Sequence, residues 1–340
     1  MSVTVKLAPS GHEIQVEENE SILDAALRQG VMLPYSCRGG SCGACEGRVL
    51  CGAVDYPNGF PGALNTDQAA AGVALLCQAH SKMDMTIQVR ELGGEEAVQP
   101  RVLPARLMQK KRLAHDVMQL DLQLPPNQRL QFRAGQYIDL LLPGGKRRSF
   151  SLANPPEQDN VLQLHIREVP EGHFSGQLES LREKSVMRLE GPHGHFWLRS
   201  EHNRPAILVA GGTGYAPLRA MLMQAFDAEY PQPLHLFWGV RAERDLYSKE
   251  AEVWAAQHDG FQFSPVLSEP DADWQGGQGW VHEAVLAAYP DLSGFDVYMA
   301  GPPPMIEAAK ADFAAAGLPS DQLFFDSFEY AAAGVTGSSS

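Results

Sequence analysis

Four of the five cysteines follow a spacing that constrains the fold more than any other feature of the sequence. Cys37, Cys42 and Cys45 lie in one short loop, and thirty-one residues separate Cys45 from Cys77. A Cys-x4-Cys-x2-Cys loop with one distant cysteine is typical of the plant-type [2Fe–2S] cluster. A zinc site favours two separated pairs, with about two to four residues between their ligands. The spacing therefore predicts an iron–sulfur centre with these four thiolates as ligands.

Glycines separate the ligands of the short loop. Gly39, Gly40 and Gly43 allow the backbone to pass close to a cluster and to direct N–H groups at its sulfurs. Cys51 lies six residues after Cys45 and is interpreted as a small buried hydrophobic residue, not a ligand. An odd number of densely spaced cysteines is a poor disulfide framework, so metal ligation in a reducing compartment explains them better.

The composition restricts the partners of the chain. Its 27 basic and 41 acidic residues give a net charge of −14, which argues against nucleic acid as a ligand. An acidic surface suits steering onto a basic protein partner, although it also serves solubility alone. No apolar run approaches the roughly 18 residues of a transmembrane helix, and the N-terminal segment lacks signal-peptide features. We expect a cytoplasmic monomer that binds neither nucleic acid nor membranes.

The first part of the chain has the pattern of a small α+β domain. Residues 1–92 contain two alternating strands, then a helix between Ser21 and Gly30, the cysteine loop and a late strand. Residues 93–103 combine glycine, charge and proline, and are predicted to be a linker.

The rest of the chain divides into two further domains. Residues 104–200 hold short strands separated by turns, which is typical of an antiparallel barrel. Residues 201–330 alternate apolar strands with helices, which predicts an α/β domain with a parallel sheet. Residues 331–340 are polar and small, and we expect them to be a disordered tail.

A glycine-rich turn follows the apolar strand AILV and precedes a helix. Gly211, Gly212, Thr213 and Gly214 form this turn, where glycine permits close approach of a pyrophosphate to a helix N-terminus. The pattern differs from the common GxGxxG dinucleotide fingerprint. Arg241 follows the next strand, where the adenosine ribose is read. We expect NADH, because no second basic residue follows Arg241 closely, and leave NADPH open.

The order of these motifs resembles that of the iron–sulfur flavoprotein reductases of the ferredoxin–NAD(P)H reductase type. The segments KRRSFSLANPP, LQFRAGQYIDL and YPDLSGFDVY resemble the reductases of CDP-6-deoxyhexose dehydration, and less closely those of aromatic-ring oxygenases. The resemblance extends over residues 3–330. It implies a β-grasp ferredoxin domain, an antiparallel β-barrel that binds FAD, and an α/β nucleotide-binding domain.

The resemblance implies a flavin site around the segment Arg148-Ser-Phe-Ser. In the family, the residue at Arg148 pairs with the flavin pyrophosphate, which suits a guanidinium fork. Phe150 replaces the usual tyrosine, so its ring can pack on the flavin but a hydroxyl contact is lost. Ser151 is expected near the flavin N5 and is assigned to catalysis. Further cofactor-binding residues are expected on the next strand and turn: His165, Arg167, Gly172 and Ser175.

The resemblance also implies a nicotinamide site near the end of the chain. Gly301 and Pro302 are expected to lie against the nicotinamide. Ala300 stands where the family often has cysteine. Phe328 is expected to stack by the flavin and is the second residue assigned to catalysis, with an ordinary core aromatic as the alternative.

These expectations combine into one reaction scheme. NADH gives hydride to FAD, and single electrons leave through the cluster to a protein acceptor. The acceptor is an iron–sulfur dehydratase or an oxygenase component, and a non-catalytic redox sensor or carrier is the alternative. Acidic residues of the first domain are expected to steer a basic acceptor: Glu17, Glu18, Glu20, Asp24, Glu46 and Asp55.

Overall fold

The computed structural model describes residues 2–93, 98–170, 172 and 174–328. The chain divides into two compact units between Gln99 and Pro100, a point inside the predicted linker of residues 93–103. The predicted tail, residues 331–340, lies outside the described residues. Within the described part of the chain, no helix has the length and apolar character needed to cross a membrane.

The first unit is built on one five-stranded sheet. Its strand order is β2-β1-β5-β3-β4, in which β1 and β5 are parallel and the other neighbours are antiparallel. The mixed sheet agrees with the predicted β-grasp domain. Its elements are β1 (Val3–Ala8), β2 (Glu13–Val16), α1 (Ile22–Arg28), β3 (Glu46–Cys51), α2 (Thr66–Ala70), β4 (Val73–Leu75) and β5 (Met85–Gln88).

Helix α1 begins and ends where its sequence predicts. The Ser21 side chain accepts a hydrogen bond from the backbone N–H of Asp24 at 3.0 Å and so caps the first turn. The chain leaves the helix through Gly30, whose φ of 78° favours glycine. Ile22 and Leu23 are fully buried, so this face of the helix forms part of the core of the unit.

The second unit starts with an antiparallel barrel. Its strand order is β10-β7-β6-β11-β8-β9, and Leu152, just after β9, pairs with Leu164 of β10 to close the sheet. Alternate residues such as Leu120 and Leu122 fill the interior. The strands are β6 (Arg101–Ala114), β7 (Val117–Gln123), β8 (Tyr137–Leu141), β9 (Arg147–Ser151), β10 (Leu162–Arg167) and β11 (Val186–His193).

The second unit continues into a parallel sheet with the order β15-β14-β13-β12-β16-β17. Its strands are β12 (Ala206–Gly211), β13 (Leu234–Val240), β14 (Phe261–Leu267), β15 (Gly277–Gln278), β16 (Asp296–Gly301) and β17 (Leu323–Ser327). Its helices are α3 (Tyr215–Asp227), α4 (Glu250–Gln257), α5 (Val281–Ala288) and α6 (Pro303–Ala315). The strand order reverses between β12 and β16. Ligands of such sheets bind at the carboxyl ends of the strands beside this switch point.

Candidate functional site

The four predicted ligand cysteines come together in the first unit. Their thiols form two hydrogen-bonded pairs, Cys37 with Cys42 and Cys45 with Cys77. The bond from Cys42 lowers the pKa of Cys37, and the bond to Cys37 together with burial raises that of Cys42. The second pair behaves alike, with the pKa of Cys45 lowered and that of Cys77 raised. Two close pairs of sulfurs fit two irons, each of which takes two thiolates.

The cysteine loop is shaped by backbone that favours glycine. Gly40 has a φ of 81°, and a Cβ there would come within 3.0 Å of the Pro61 and Gln78 side chains. The loop also directs N–H groups at sulfur: Gly39 N lies 3.3 Å from Cys37 Sγ, and Ala44 N lies 3.5 Å from Cys42 Sγ. The predicted close approach of the backbone to a cluster is therefore built into the conformation of the loop.

Three polar residues hold this loop in place, a role that was not predicted for any of them. The Gln78 side chain, next to Cys77, donates to the Arg38 carbonyl at 2.8 Å. The Arg38 guanidinium in turn forms an ion pair with Asp24 of α1. The distant fourth ligand is thereby joined to the short loop that carries the other three.

The interpretation of Cys51 as a buried residue is wrong. Its side chain is exposed. The pairing of β3 with β5 shifts register between Val49 and Cys51, and this irregularity leaves the last residue of the strand turned to solvent.

The predicted acidic steering surface is partly neutralised. Glu20 accepts two hydrogen bonds from Arg28, each 2.8 Å long, and the bond to Arg28 lowers the pKa of Glu20. Asp55 pairs with Lys82 at 2.6 Å. Glu17 lies 3.9 Å from the same Arg28, so with Glu20, Asp55 and the Asp24 pair described above at least four of the six carboxylates have a basic partner. An acidic excess remains, because residues 1–99 hold twelve acidic and six basic residues.

Strand β9 presents the flavin motif on two faces. Arg148 and Phe150 share one face, and the Phe150 ring lies 5.6 Å from that of Phe174. The Arg148 guanidinium donates only to the carbonyl of Arg147, at 2.7 Å, and forms no ion pair with a carboxylate among the described residues. This leaves it suited to a phosphate.

The turn after β10 lies beside that face. Phe174 lies between Gly172 and Ser175, so its contact with Phe150 brings the predicted pyrophosphate turn next to β9. A Cβ on Gly172 would come within 2.1 Å of Ser175 Oγ and 3.0 Å of the Val169 carbonyl oxygen, so a larger residue would displace the Ser175 hydroxyl.

Ser151 points to the other side of β9 and reaches the parallel sheet. Its hydroxyl donates to Asp326 Oδ2 at 3.2 Å, and both residues are buried. Asp326 pairs with Ala300 across β16 and β17. The backbone N–H of Phe328 donates to the Gly301 carbonyl at 3.0 Å. Asp326 was not predicted to take part in the site, although it lies two residues before Phe328, which was assigned to catalysis.

The glycine-rich turn after β12 packs directly on the end of β16. Gly211 ends the strand, and Gly212, Thr213 and Gly214 form a single 3-10 turn before α3. A Cβ on Gly214 would come within 1.8 Å of the Ala300 carbonyl oxygen, so only glycine fits. The predicted nicotinamide residues Gly301 and Pro302 follow at once, and Pro302 precedes the first turn of α6.

Two aromatic residues, Trp238 of β13 and Tyr215 of α3, pack at the glycine-rich turn. The indole N–H of Trp238 donates to the Gly212 carbonyl at 2.9 Å, and the Tyr215 ring stacks on Trp238 at 4.1 Å. This support was not predicted, because it depends on the neighbouring strand β13.

The two predicted residues of β10 have different surroundings. The Arg167 guanidinium lies against the glycine-rich turn, since a Cβ on Gly212 would come within 3.2 Å of it. His165 contacts Tyr247, with 3.3 Å between Nδ1 and the tyrosine hydroxyl. Burial lowers the pKa of His165 to about 3, so its imidazole is neutral near pH 7.

Arg241 lies at the end of β13 and is exposed. Its Nε is 3.8 Å from Oδ2 of the buried Asp245. The prediction that no second basic residue closely follows Arg241 is wrong, because Arg244 lies in the next turn, Glu243–Asp245. The same turn carries Glu243, so both charge signs occur beside the predicted ribose site.

Comparisons with known proteins agree with this architecture. Residues 5–82 match the 2Fe-2S iron-sulfur cluster binding domain, residues 104–197 the oxidoreductase FAD-binding domain, and residues 208–311 the oxidoreductase NAD-binding domain. The predictions of a [2Fe–2S] cluster, FAD and a nicotinamide coenzyme are thereby confirmed.

Relatives match the chain over almost its full length. A CDP-6-deoxy-L-threo-D-glycero-4-hexulose-3-dehydrase reductase of Yersinia pestis is 38% identical, over 96% of this chain and 99% of the relative. The xylene/toluene monooxygenase electron transfer component XylA of Pseudomonas putida is 34% identical, over 96% of this chain and 93% of the relative. The crystal structure of the Amycolatopsis cytochrome P450 reductase GcoB has a TM-score of 0.81 at 33% identity, over 96% and 98%.

The fold and the site define a flavin- and nicotinamide-dependent oxidoreductase with its own iron–sulfur domain. The chain belongs to the iron–sulfur flavoprotein reductases of the ferredoxin–NAD(P)H reductase type. It is an electron-transfer reductase that uses FAD and a [2Fe–2S] cluster, as the sequence predicts.

Proposed function

We propose that the chain transfers hydride from NADH to FAD and passes the electrons through its cluster to a protein, namely an iron–sulfur dehydratase that acts on a CDP-6-deoxyhexose. The observation that carries the hydride step is the contact of Ser151 with Asp326. It joins β9 to β17, which pairs with β16, the strand whose end packs against the glycine-rich turn, so the two half-sites lie close together.

The flavin is held by side chains on one face of β9 and by the turn next to it. Arg148 would bind the pyrophosphate through its guanidinium fork, and Gly172 and Ser175 in the neighbouring turn would also contact it. Phe150 packs against the flavin ring system. When bound, FAD supplies the capacity to accept hydride and to release electrons singly, while the protein orients it.

The reacting edge is organised by Ser151 and its acceptor. The Asp326 carboxylate fixes the direction of the Ser151 O–H, and thereby directs the hydroxyl oxygen at the flavin edge. Phe328 covers the face where the nicotinamide docks, anchored through its N–H to Gly301. Gly211 to Gly214 bind the coenzyme pyrophosphate at the N-terminus of α3.

Arg241 reads the adenosine ribose of the coenzyme. It is exposed at the end of β13, and Arg244 in the next turn offers a second guanidinium. The carboxylates of Glu243 and Asp245 beside them disfavour a 2′-phosphate, which supports NADH as the coenzyme.

The choice of acceptor rests on the relatives. The relative from Yersinia pestis is named as the reductase of a hexulose dehydrase, at 38% identity. An oxygenase component is the second candidate, because XylA, at 34% identity, is named as the electron transfer component of a monooxygenase. We further propose that the protein acts in the cytoplasm as a monomer.

Anaerobic reconstitution with each candidate acceptor tests the proposal. NADH oxidation should be coupled to product with the CDP-6-deoxyhexose dehydratase and not with an oxygenase. Ferricyanide serves as the control, because it accepts electrons from the flavin without a docked protein. Coupling to neither protein, together with fast turnover on small quinones, would mean that the natural acceptor is a small molecule.

A further inference from the structure

A buried guanidinium links the flavin barrel to the parallel sheet. Arg219 lies on α3, about one turn beyond the glycine-rich segment, and its side chain is 12% exposed. Its Nε and Nη2 donate to the two carboxylate oxygens of Glu250 on α4, at 2.6 and 2.7 Å. This bidentate pair fixes the guanidinium plane within the sheet domain.

The remaining nitrogen of the guanidinium reaches into the barrel. Nη1 donates to the Ala153 carbonyl at 2.6 Å and lies 3.4 Å from Gln163 Oε1. Ala153 follows Ser151 by two residues, and its own N–H donates to the Gln163 carbonyl at 2.8 Å. The Arg219 side chain therefore connects α3, which begins at the glycine-rich turn, with the segment just after β9, the strand that ends at Ser151.

The surroundings keep this link charged and in place. Burial works against the carboxylate form of Glu250, yet the Arg219 fork holds its pKa below the usual range. The Ser248 hydroxyl also donates to Glu250, at 3.0 Å. Beside the pair lie the buried His165 and Tyr247, which contact each other between the same two domains.

We propose that Arg219, held by Glu250, is a positioning residue that sets the distance between the nicotinamide and the flavin for hydride transfer. The inference rests on the proposed function. Hydride transfer is sensitive to geometry, and a displacement of about 1 Å between reacting groups costs up to about 100-fold in rate. Arg219 touches neither cofactor-binding motif directly, so its effect is transmitted through the Ala153 carbonyl and α3.

Anaerobic rapid mixing with NADH tests the proposal in the holoprotein. Arg219→Gln should slow flavin reduction at saturating NADH by about 10- to 100-fold, because the two half-sites lose their fixed spacing. Binding of NADH, FAD content and reduction by dithionite should stay within about twofold of the wild type. Arg219→Lys keeps the charge without the fork and should recover only part of the rate.

Two controls separate positioning from general stability. Arg129→Gln removes a bidentate pair with Asp159 that lies wholly within the barrel, and should leave the rate unchanged. Gln224→Ala removes an exposed contact between α3 and Glu157 of the barrel, and should have little effect. If Arg219→Gln does not retain FAD, Glu250→Gln provides the test, since it weakens the hold on Arg219 and should slow the same step.

The outcomes distinguish this inference from the proposed function. Flavin reduction at the wild-type rate in Arg219→Gln, or in Glu250→Gln where the first variant is lost, overturns the positioning role alone. A loss of rate only in proportion to lost FAD also overturns it. Failure of NADH to reduce the wild-type flavin would overturn the proposed function itself, and this inference with it.

Discussion

Cys77 is the one predicted ligand outside the short loop, and its thiol pairs with Cys45. Cys77→Ser should therefore remove a ligand of one iron and abolish reduction of cytochrome c, while NADH–ferricyanide activity is largely retained. Cys51→Ser is the matched control, because Cys51 is exposed and lies outside the ligand set. Full cytochrome c reduction by Cys77→Ser would contradict the assignment of the ligands.

Arg148 donates only to a neighbouring carbonyl and is free of carboxylate partners among the described residues. Arg148→Ala should weaken FAD binding by about 1.5–3 kcal/mol, the contribution of a charge-assisted contact. That is a rise of about 10- to 150-fold in the Kd, measured by titrating apoprotein with FAD. Arg147→Ala is the control, since Arg147 lies on the opposite face and pairs with Glu190. Equal Kd values for the two variants would place the pyrophosphate elsewhere.

At the scale of the elements, the sequence predicts those features that depend on contacts between residues close in the chain. The cap of α1, the alternation of β9 and the glycine-rich turn before α3 all follow from residues close in sequence. The contacts of Asp326 with Ser151 and of Arg219 with Ala153 could not be predicted, because these partners lie 175 and 66 residues apart. The exposure of Cys51 follows from a register shift in β3, which the alternating pattern does not indicate.

The buried His165 of β10 makes the free energy of unfolding depend on pH. Burial lowers the pKa of His165 from 6.5 to about 3. Between these two pH values, the imidazole is protonated in the unfolded chain and neutral in the folded chain. The free energy of unfolding should therefore fall as the pH drops from 6.5 towards 3, by up to about 1.4 kcal/mol per pH unit.

Urea unfolding followed through flavin absorbance, at pH 7 and pH 5, measures this slope. His165→Gln should flatten it, because the residue that titrates only in the unfolded chain is gone. His12→Gln is the control, since the His12 side chain is 65% exposed and lies in the first unit. Identical slopes for the wild type and His165→Gln would show that another group causes the loss of stability.

At the scale of the whole molecule, the chemistry is divided between two compact units. The first unit brings four thiols together as two pairs, and the second brings β9, the predicted flavin strand, against β17 of the parallel sheet. The order of the three domains was predictable from the motifs, because each motif lies in a segment with its own hydrophobic period. The positions of the flavin and nicotinamide half-sites relative to each other depend on tertiary contacts, and they could not be predicted from the motifs.

The central claim is that electrons from NADH reach the cluster through the flavin. Electron paramagnetic resonance of anaerobic samples frozen after mixing with NADH tests it most directly, in protein with about two irons per chain. We predict that the signal of the reduced cluster appears as the flavin reacts, and that it is absent in Cys77→Ser although its flavin still bleaches. A cluster that dithionite reduces but excess NADH does not would contradict the account.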